Sequence, residues 1–139
     1  MILDLYITRW YSSRTMILKT RAFSRCFKKT AINDKLLVDA VGEMMQGLID
    51  ADLGGGFYKK RVALPGRGKS GSVRTLLASN RQDRWIFMFG FEKNDRANIS
   101  NKELEALKML AADLLGLTDD QIGQALDDGA LLEVNHEKK

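Results

Sequence analysis

Hydrophobic residues recur along this chain with two distinct periods. Over 34–50, Leu37, Val41, Met44, Met45 and Leu48 fall on one side of a 3.6-residue repeat. That spacing predicts a helix over 34–50, with Asn33 as its N-cap. A shorter helix is predicted over 22–29, where Phe23 and Phe27 stand four residues apart. Before it, Met16-Ile17-Leu18-Lys19-Thr20 reads as a strand. Gly54-Gly55-Gly56 ends the helical half, because three glycines continue a helix poorly and permit a tight turn. Aliphatic, β-branched and aromatic runs then predict strands over 57–64, 73–79 and 85–91, joined by a Gly-rich loop over 65–71 and a polar turn over 80–84. Two capping boxes follow. Ser100 with Glu103 opens a helix bearing Leu104, Leu107, Leu110, Ala111 and Leu114; Thr118 with Gln121 opens a short helix that Gly129 terminates.

The order is an initial strand, two helices, three strands and then helices. It predicts an α+β domain whose small sheet is mostly antiparallel. There is no internal repeat. The expected division is an N-terminal extension over 1–15, a domain over 16–115, and a C-terminal helix with a charged tail over 116–139. Residues 1–15 read equally as an added extension or as an ordered extra strand. Asp4, Arg9 and Arg14 interrupt them, and they lack the basic-then-apolar order of a secretory signal. No apolar run reaches the ~18 residues of a membrane span. The expectation is a cytoplasmic protein without a membrane partner.

Composition narrows the chemistry. With 45% hydrophobic residues, the chain can form one core. Cys26 is the single cysteine and His136 the single histidine. A disulfide framework, a multi-cysteine zinc site, a two-histidine metal site and a His-based triad held in a core are therefore not expected. Cys26 reads as a small hydrophobe rather than a nucleophile. The net charge of +4 is unevenly spread: 57–96 holds ten Lys/Arg against three Asp/Glu, a net of +7, and 97–139 holds four against nine, a net of −5. A basic middle beside an acidic end suggests a polyanion-binding face on one side.

On the first predicted strand after the glycines, Phe57, Lys59 and Arg61 share one face, and Tyr58, Lys60, Val62 and Leu64 share the other, core-like face. Lys60 is an irregularity there, at a bulge or with its ammonium snorkelling to the edge. Lys59 and Arg61 lie roughly 7 Å apart, close to the spacing of successive phosphates. Solvated cations that protect a sheet edge are the simpler alternative. The run Ala63-Leu64-Pro65-Gly66-Arg67-Gly68-Lys69-Ser70 imitates a relaxed P-loop. A P-loop must lead into a helix, however, and Gly71, Val73 and Thr75 favour a strand. The glycines and cations of this loop suit an RNA backbone better than a nucleotide.

Three stretches together resemble the HigB branch of the RelE-like bacterial toxins: Tyr58-Lys59-Lys60-Arg61-Val62, Gly66-Arg67-Gly68-Lys69-Ser70-Gly71-Ser72-Val73-Arg74, and Phe89-Gly90-Phe91-Glu92-Lys93-Asn94. The resemblance spans roughly 16–115. It departs at Ser72, where the pattern usually has glycine, and at Val73, where it usually has tyrosine. It implies a RelE-like fold, with a compact sheet, helices on one side and an open basic face. It further implies a ribosome-dependent mRNA endoribonuclease that inhibits translation as the toxin of a toxin–antitoxin system. Carried over by position, Lys59, Arg61, Arg74 and Lys93 would be the catalytic set, with Lys60, Arg67, Lys69 and Arg96 binding RNA. The implied partners are a cognate antitoxin of the helix-turn-helix DNA-binding type, the ribosome and mRNA. No metal or small-molecule cofactor is implied, because RNA carries its own 2′-OH nucleophile. Two alternatives stand beside this reading: a ParE-like gyrase-inhibiting toxin and a non-catalytic nucleic-acid-binding module.

Overall fold

A computed structural model describes residues 15–27, 32–66, 71–92 and 99–134. The elements are β1 (Met16–Thr20), α1 (Arg21–Cys26), α2 (Asp34–Met45), β2 (Ala51–Gly54), β3 (Phe57–Val62), β4 (Val73–Ser79), β5 (Arg84–Glu92), α3 (Asn101–Leu115), α4 (Asp119–Asp128) and β6 (Leu131–Glu133). The six strands form one sheet in the order β2-β3-β4-β5-β1-β6. Every pairing is antiparallel except β1 with β5. The fold class is therefore α+β with a mostly antiparallel sheet, as the sequence predicts.

The caps fall where the sequence places them. Asn33 Oδ1 accepts the Leu36 N–H, and the Ser100/Glu103 and Thr118/Gln121 capping boxes both close. Gly129 ends α4 in the left-handed conformation, φ 81°. The turn between β4 and β5 is organised by Asn80, whose Oδ1 accepts the N–H groups of Gln82, Asp83 and Arg84.

Three expectations need correction. The second helix stops at Met45, five residues before its predicted end at 50, because Gly47 turns the chain at φ 95°. The freed residues turn the chain into β2, which makes a hairpin with β3 through the glycine run. The first helix stops at Cys26; residues 28–29 of that prediction lie outside the described residues. Helices also cover both faces of the sheet rather than one. The cause is composition: Trp85-Ile86-Phe87-Met88 of β5 is fully buried, and β4 is buried along most of its length, so each face needs its own cover.

One core joins Ile17, Tyr58, Val62, Leu77 and Phe87 to Phe23 of α1 and to Leu37, Val41 and Met44 of α2. The other joins Leu18, Phe57, Leu76, Ala78, Ile86 and Met88 to Ala111 and Leu114 of α3 and Ile122 of α4. Each fully buried aliphatic of this kind contributes ~1.5–3 kcal/mol. A bulge in β5 decides what lies at its far end. The register with β4 shifts between Leu76 and Leu77, leaving Met88 as the extra residue. Met88 and Phe89 therefore both belong to the α3 side, and beyond them the alternation is inverted. Phe91 consequently shares the α3 face with Arg74, its register partner.

Among the described residues, no helix is long and apolar enough to cross a membrane.

Candidate functional site

The α3 face of the sheet changes character along β3. Phe57 is wholly buried, Lys59 is half-buried, and Arg61 is exposed. Register carries the same change on to β4. Ala78 lies opposite Phe57, Leu76 opposite Lys59, and Arg74 opposite Arg61. Directly opposed residues of an antiparallel pair project from the same face with Cβ atoms ~5 Å apart. Arg61 and Arg74 thus form a cross-strand pair of like charge, with Lys59 two residues along the same face. Phe91 completes the row beyond Arg74. Opposed like charges destabilise a strand pair, so the arrangement costs stability unless an anion lies between them.

Each arginine has a local restraint. The backbone N–H of Arg61 donates to Asp50 Oδ2 at 2.7 Å, and its Nε donates to Asp50 Oδ1 at 3.4 Å. The carboxylate of Asp50 thereby extends the β2–β3 pairing by one position and holds the guanidinium by one edge. The terminal amino groups of Arg61 make no hydrogen bond among the described residues. Arg74 Nη1 donates to the carbonyl of Ser72 at 3.1 Å, which draws its side chain back along its own strand. The ammonium of Lys59 has no ion pair or hydrogen bond among the described residues.

Lys60 does not join this group. It lies on the opposite, α2-covered face at 6% exposure. Its Nζ contacts Glu43 Oε1 at 2.7 Å and donates to the Leu48 carbonyl at 3.1 Å. Its ammonium stays buried and runs to the rim of that face, where it meets the partly exposed Glu43, and this placement separates Lys60 from the basic face to which the RNA-binding reading assigned it. Arg67, Lys69, Lys93 and Arg96 lie outside the described residues. The P-loop imitation ends as expected: the chain after it enters β4, not a helix.

Two contributors were not legible in the sequence. Asp50 lies in the stretch predicted as helix, so nothing pointed to its pairing with Arg61. Arg84 reads as a turn cation. It is nevertheless buried, and its Nη1 donates to the carbonyls of Leu114, Leu115 and Leu117 at 3.2, 3.2 and 2.7 Å. Arg84 closes the C-terminus of α3, a structural task that removes it from the pool of ligand-binding cations.

No group of three or more His, Cys, Asp or Glu suited to a metal ion occurs among the described residues. Cys26 is half-buried against the α1–α2 core, and burial pushes its thiol up from the ordinary value. A thiol so shifted is a weaker source of thiolate, in keeping with a packing role.

The arrangement can grip one or two phosphates between forked, permanently charged donors, with a lysine alongside. No curated protein matches the chain. A family model, the RelE toxin of the RelE/RelB toxin–antitoxin system, matches residues 15–134 and so runs from the residue before β1 to the residue after β6. The chain belongs to this RelE toxin family, whose members pair with an antitoxin.

Proposed function

We propose that this toxin is a ribosome-dependent mRNA endoribonuclease of the HigB type, which stops translation by cutting messages from within the basic face. The observation that supports it most is the cross-strand pair Arg61–Arg74 with Lys59 beside it. Family membership adds a general tendency toward mRNA cleavage.

In this reading the RNA 2′-OH attacks the adjacent phosphorus, the bond from phosphorus to the 5′ oxygen breaks, and a 2′,3′-cyclic phosphate remains. Arg61 and Arg74 clamp the phosphate and neutralise the charge that builds on its oxygens. Lys59 or Lys93 moves the proton, taking it from the 2′-OH or giving it to the leaving oxygen. Arg67, Lys69 and Arg96 contact flanking phosphates. The ribosome presents the message in line and contributes much of the positioning. The site then acts where translation occurs, in the cytoplasm. An antitoxin of the helix-turn-helix type silences the toxin by covering or distorting the basic face, with complementary charge speeding capture.

The test is induction in bacteria with mapping of new 5′ ends on mRNA, wild type against Arg74→Ala. Cuts within translated regions that vanish in the variant are the expected result. Growth arrest without new cuts would favour gyrase inhibition, and no effect on growth would leave a binding module.

A further inference from the structure

Ser72 stands at the mouth of β4, two residues before Arg74, with 7% of its surface exposed. Its Oγ is shut off from solvent and makes no hydrogen bond among the described residues; it is the sole buried side-chain polar atom there in that condition. A buried hydroxyl without a partner costs stability, so its retention calls for an explanation. Val73 between Ser72 and Arg74 is in strand conformation, so Ser72 and Arg74 share the α3 face. The guanidinium of Arg74 also lies against Ser72, through Nη1 to the Ser72 carbonyl. The unpaired hydroxyl is therefore next to one arginine of the Arg61–Arg74 pair and on the same side of the sheet.

We infer that Ser72 is a further RNA-contacting residue, whose Oγ donates to a non-bridging oxygen of the phosphate held by Arg74. This rests on the proposed reading of the basic face. Arginine has five donors, so Nη1 can keep the Ser72 carbonyl while the remaining N–H groups take the phosphate. The hydroxyl is closed to solvent in the free protein, so the contact requires the mouth of β4 to open slightly around Ser72 as the phosphate binds. A hydroxyl donor to an anionic oxygen is a charge-assisted bond, and it satisfies in the complex the group left unpaired in the free protein. Ser72 is thus a site where free-state stability is given up for binding.

The experiment is cleavage of mRNA on programmed ribosomes under single-turnover conditions, with rate measured against toxin concentration, for wild type, Ser72→Ala and Arg61→Ala. Thermal unfolding of each protein is measured alongside. The expected result for Ser72→Ala is about a tenfold loss of half-saturation affinity, from loss of a hydrogen bond to a charged group. Its Tm should be unchanged or raised, by about 3 °C where the unpaired hydroxyl is fully relieved. Wild-type cleavage by Ser72→Ala would overturn the inference, whatever its Tm. Weakened cleavage accompanied by a lower Tm would overturn it too, because the hydroxyl would then be serving the fold. The Arg61→Ala arm separates the two levels. If that variant cuts as well as wild type, the basic-face reading itself fails. If it is crippled while Ser72→Ala is normal, the role of Ser72 alone is lost.

Discussion

Arg61 is tied to Asp50 at two points, through its backbone N–H at 2.7 Å and its Nε at 3.4 Å. The first bond anchors the outer end of β3, and the second sets the direction in which the guanidinium leaves it. A carboxylate beside a phosphate-binding arginine also opposes RNA binding through its charge. The two effects separate in Asp50→Asn, whose amide oxygen still accepts the backbone N–H but carries no charge. We expect RNA affinity to hold or tighten while the cleavage rate falls about tenfold, as Arg61 loses its orientation. Loss of rate and affinity in step with a lowered thermal stability would show that Asp50 matters only for folding.

Arg84 makes a different kind of demand on the sequence, one concerned with the fold alone. Three carbonyls at the end of α3 converge on its Nη1, and Nη2 reaches Asp119 at 3.3 Å. The carbonyl bonds are sheltered, whereas the Asp119 side chain is 92% exposed. Exposed ion pairs contribute little, and buried carbonyls left without a donor cost on the order of 1–3 kcal/mol. Arg84→Ala should therefore lower stability by about 2–3 kcal/mol, while Asp119→Asn should be close to neutral. Chemical denaturation of both variants decides this. A large loss from Asp119→Asn would mean that the ion pair, not the helix terminus, is the important contact.

These cases show what the sequence made legible. Helix starts were readable because capping is local chemistry: Asn33, Ser100 and Thr118 each satisfy an N–H three residues away. The Lys59/Arg61 alternation was readable for the same reason, since it depends only on the strand period. Contacts between distant segments were not readable. β2 is four residues with two glycine neighbours, β6 is three residues, and both exist through the strand each pairs with. The bulge at Met88, which brings Phe91 to the Arg74 face, has no signature in the continuous apolar run Trp85-Ile86-Phe87-Met88-Phe89. Asp50 reaches Arg61 only because α2 stops early at a glycine.

Lys60 and Glu43 test the separation of the two sheet faces. The Lys60 ammonium is buried, paired at 2.7 Å, and aimed away from Lys59 and Arg61. Lys60→Met keeps the aliphatic stem and discards the charge, and replacing a buried ion by a well-packed apolar group is often neutral or better. We expect that substitution to leave RNA cleavage within about twofold of wild type and stability within ~1 kcal/mol. The Leu48 carbonyl belongs to a residue that is 56% exposed, so water can replace the lost donor. A strong loss of cleavage with normal folding would return Lys60 to the RNA-binding set.

Gly90 is required by an aromatic rather than by the site. A Cβ there would meet the Phe27 ring at 2.3 Å and the Arg74 carbonyl at 3.1 Å. Phe27 packs edge-on against Phe23 at 5.2 Å, and Phe23 packs against Phe87 at 5.4 Å. Gly90→Ala would push Phe27 out of that stack, with an expected cost of about 1–3 kcal/mol. If the ring clash is the cause, Phe27→Ala should make the glycine substitution nearly harmless, a non-additivity that a double-mutant cycle measures directly. Additive losses would place the cost at the backbone contact with Arg74 instead.

In the proposed cleavage one of two lysines, Lys59 or Lys93, moves the proton. Lys59→Arg preserves positive charge on the same strand face and keeps the attraction for phosphate. It replaces an amine that can exchange a proton with a guanidinium that stays protonated. A proton handler at this position therefore predicts near-normal RNA binding and a cleavage rate lower by about 10²–10³. Arg74→Lys is the converse change: it supplies an exchangeable proton but loses the fork, so binding and rate should fall together. Should Lys59→Arg cut normally while Lys93→Arg does not, proton transfer belongs to Lys93. If all three charge-preserving variants retain full activity, the basic face is not where the RNA is cleaved.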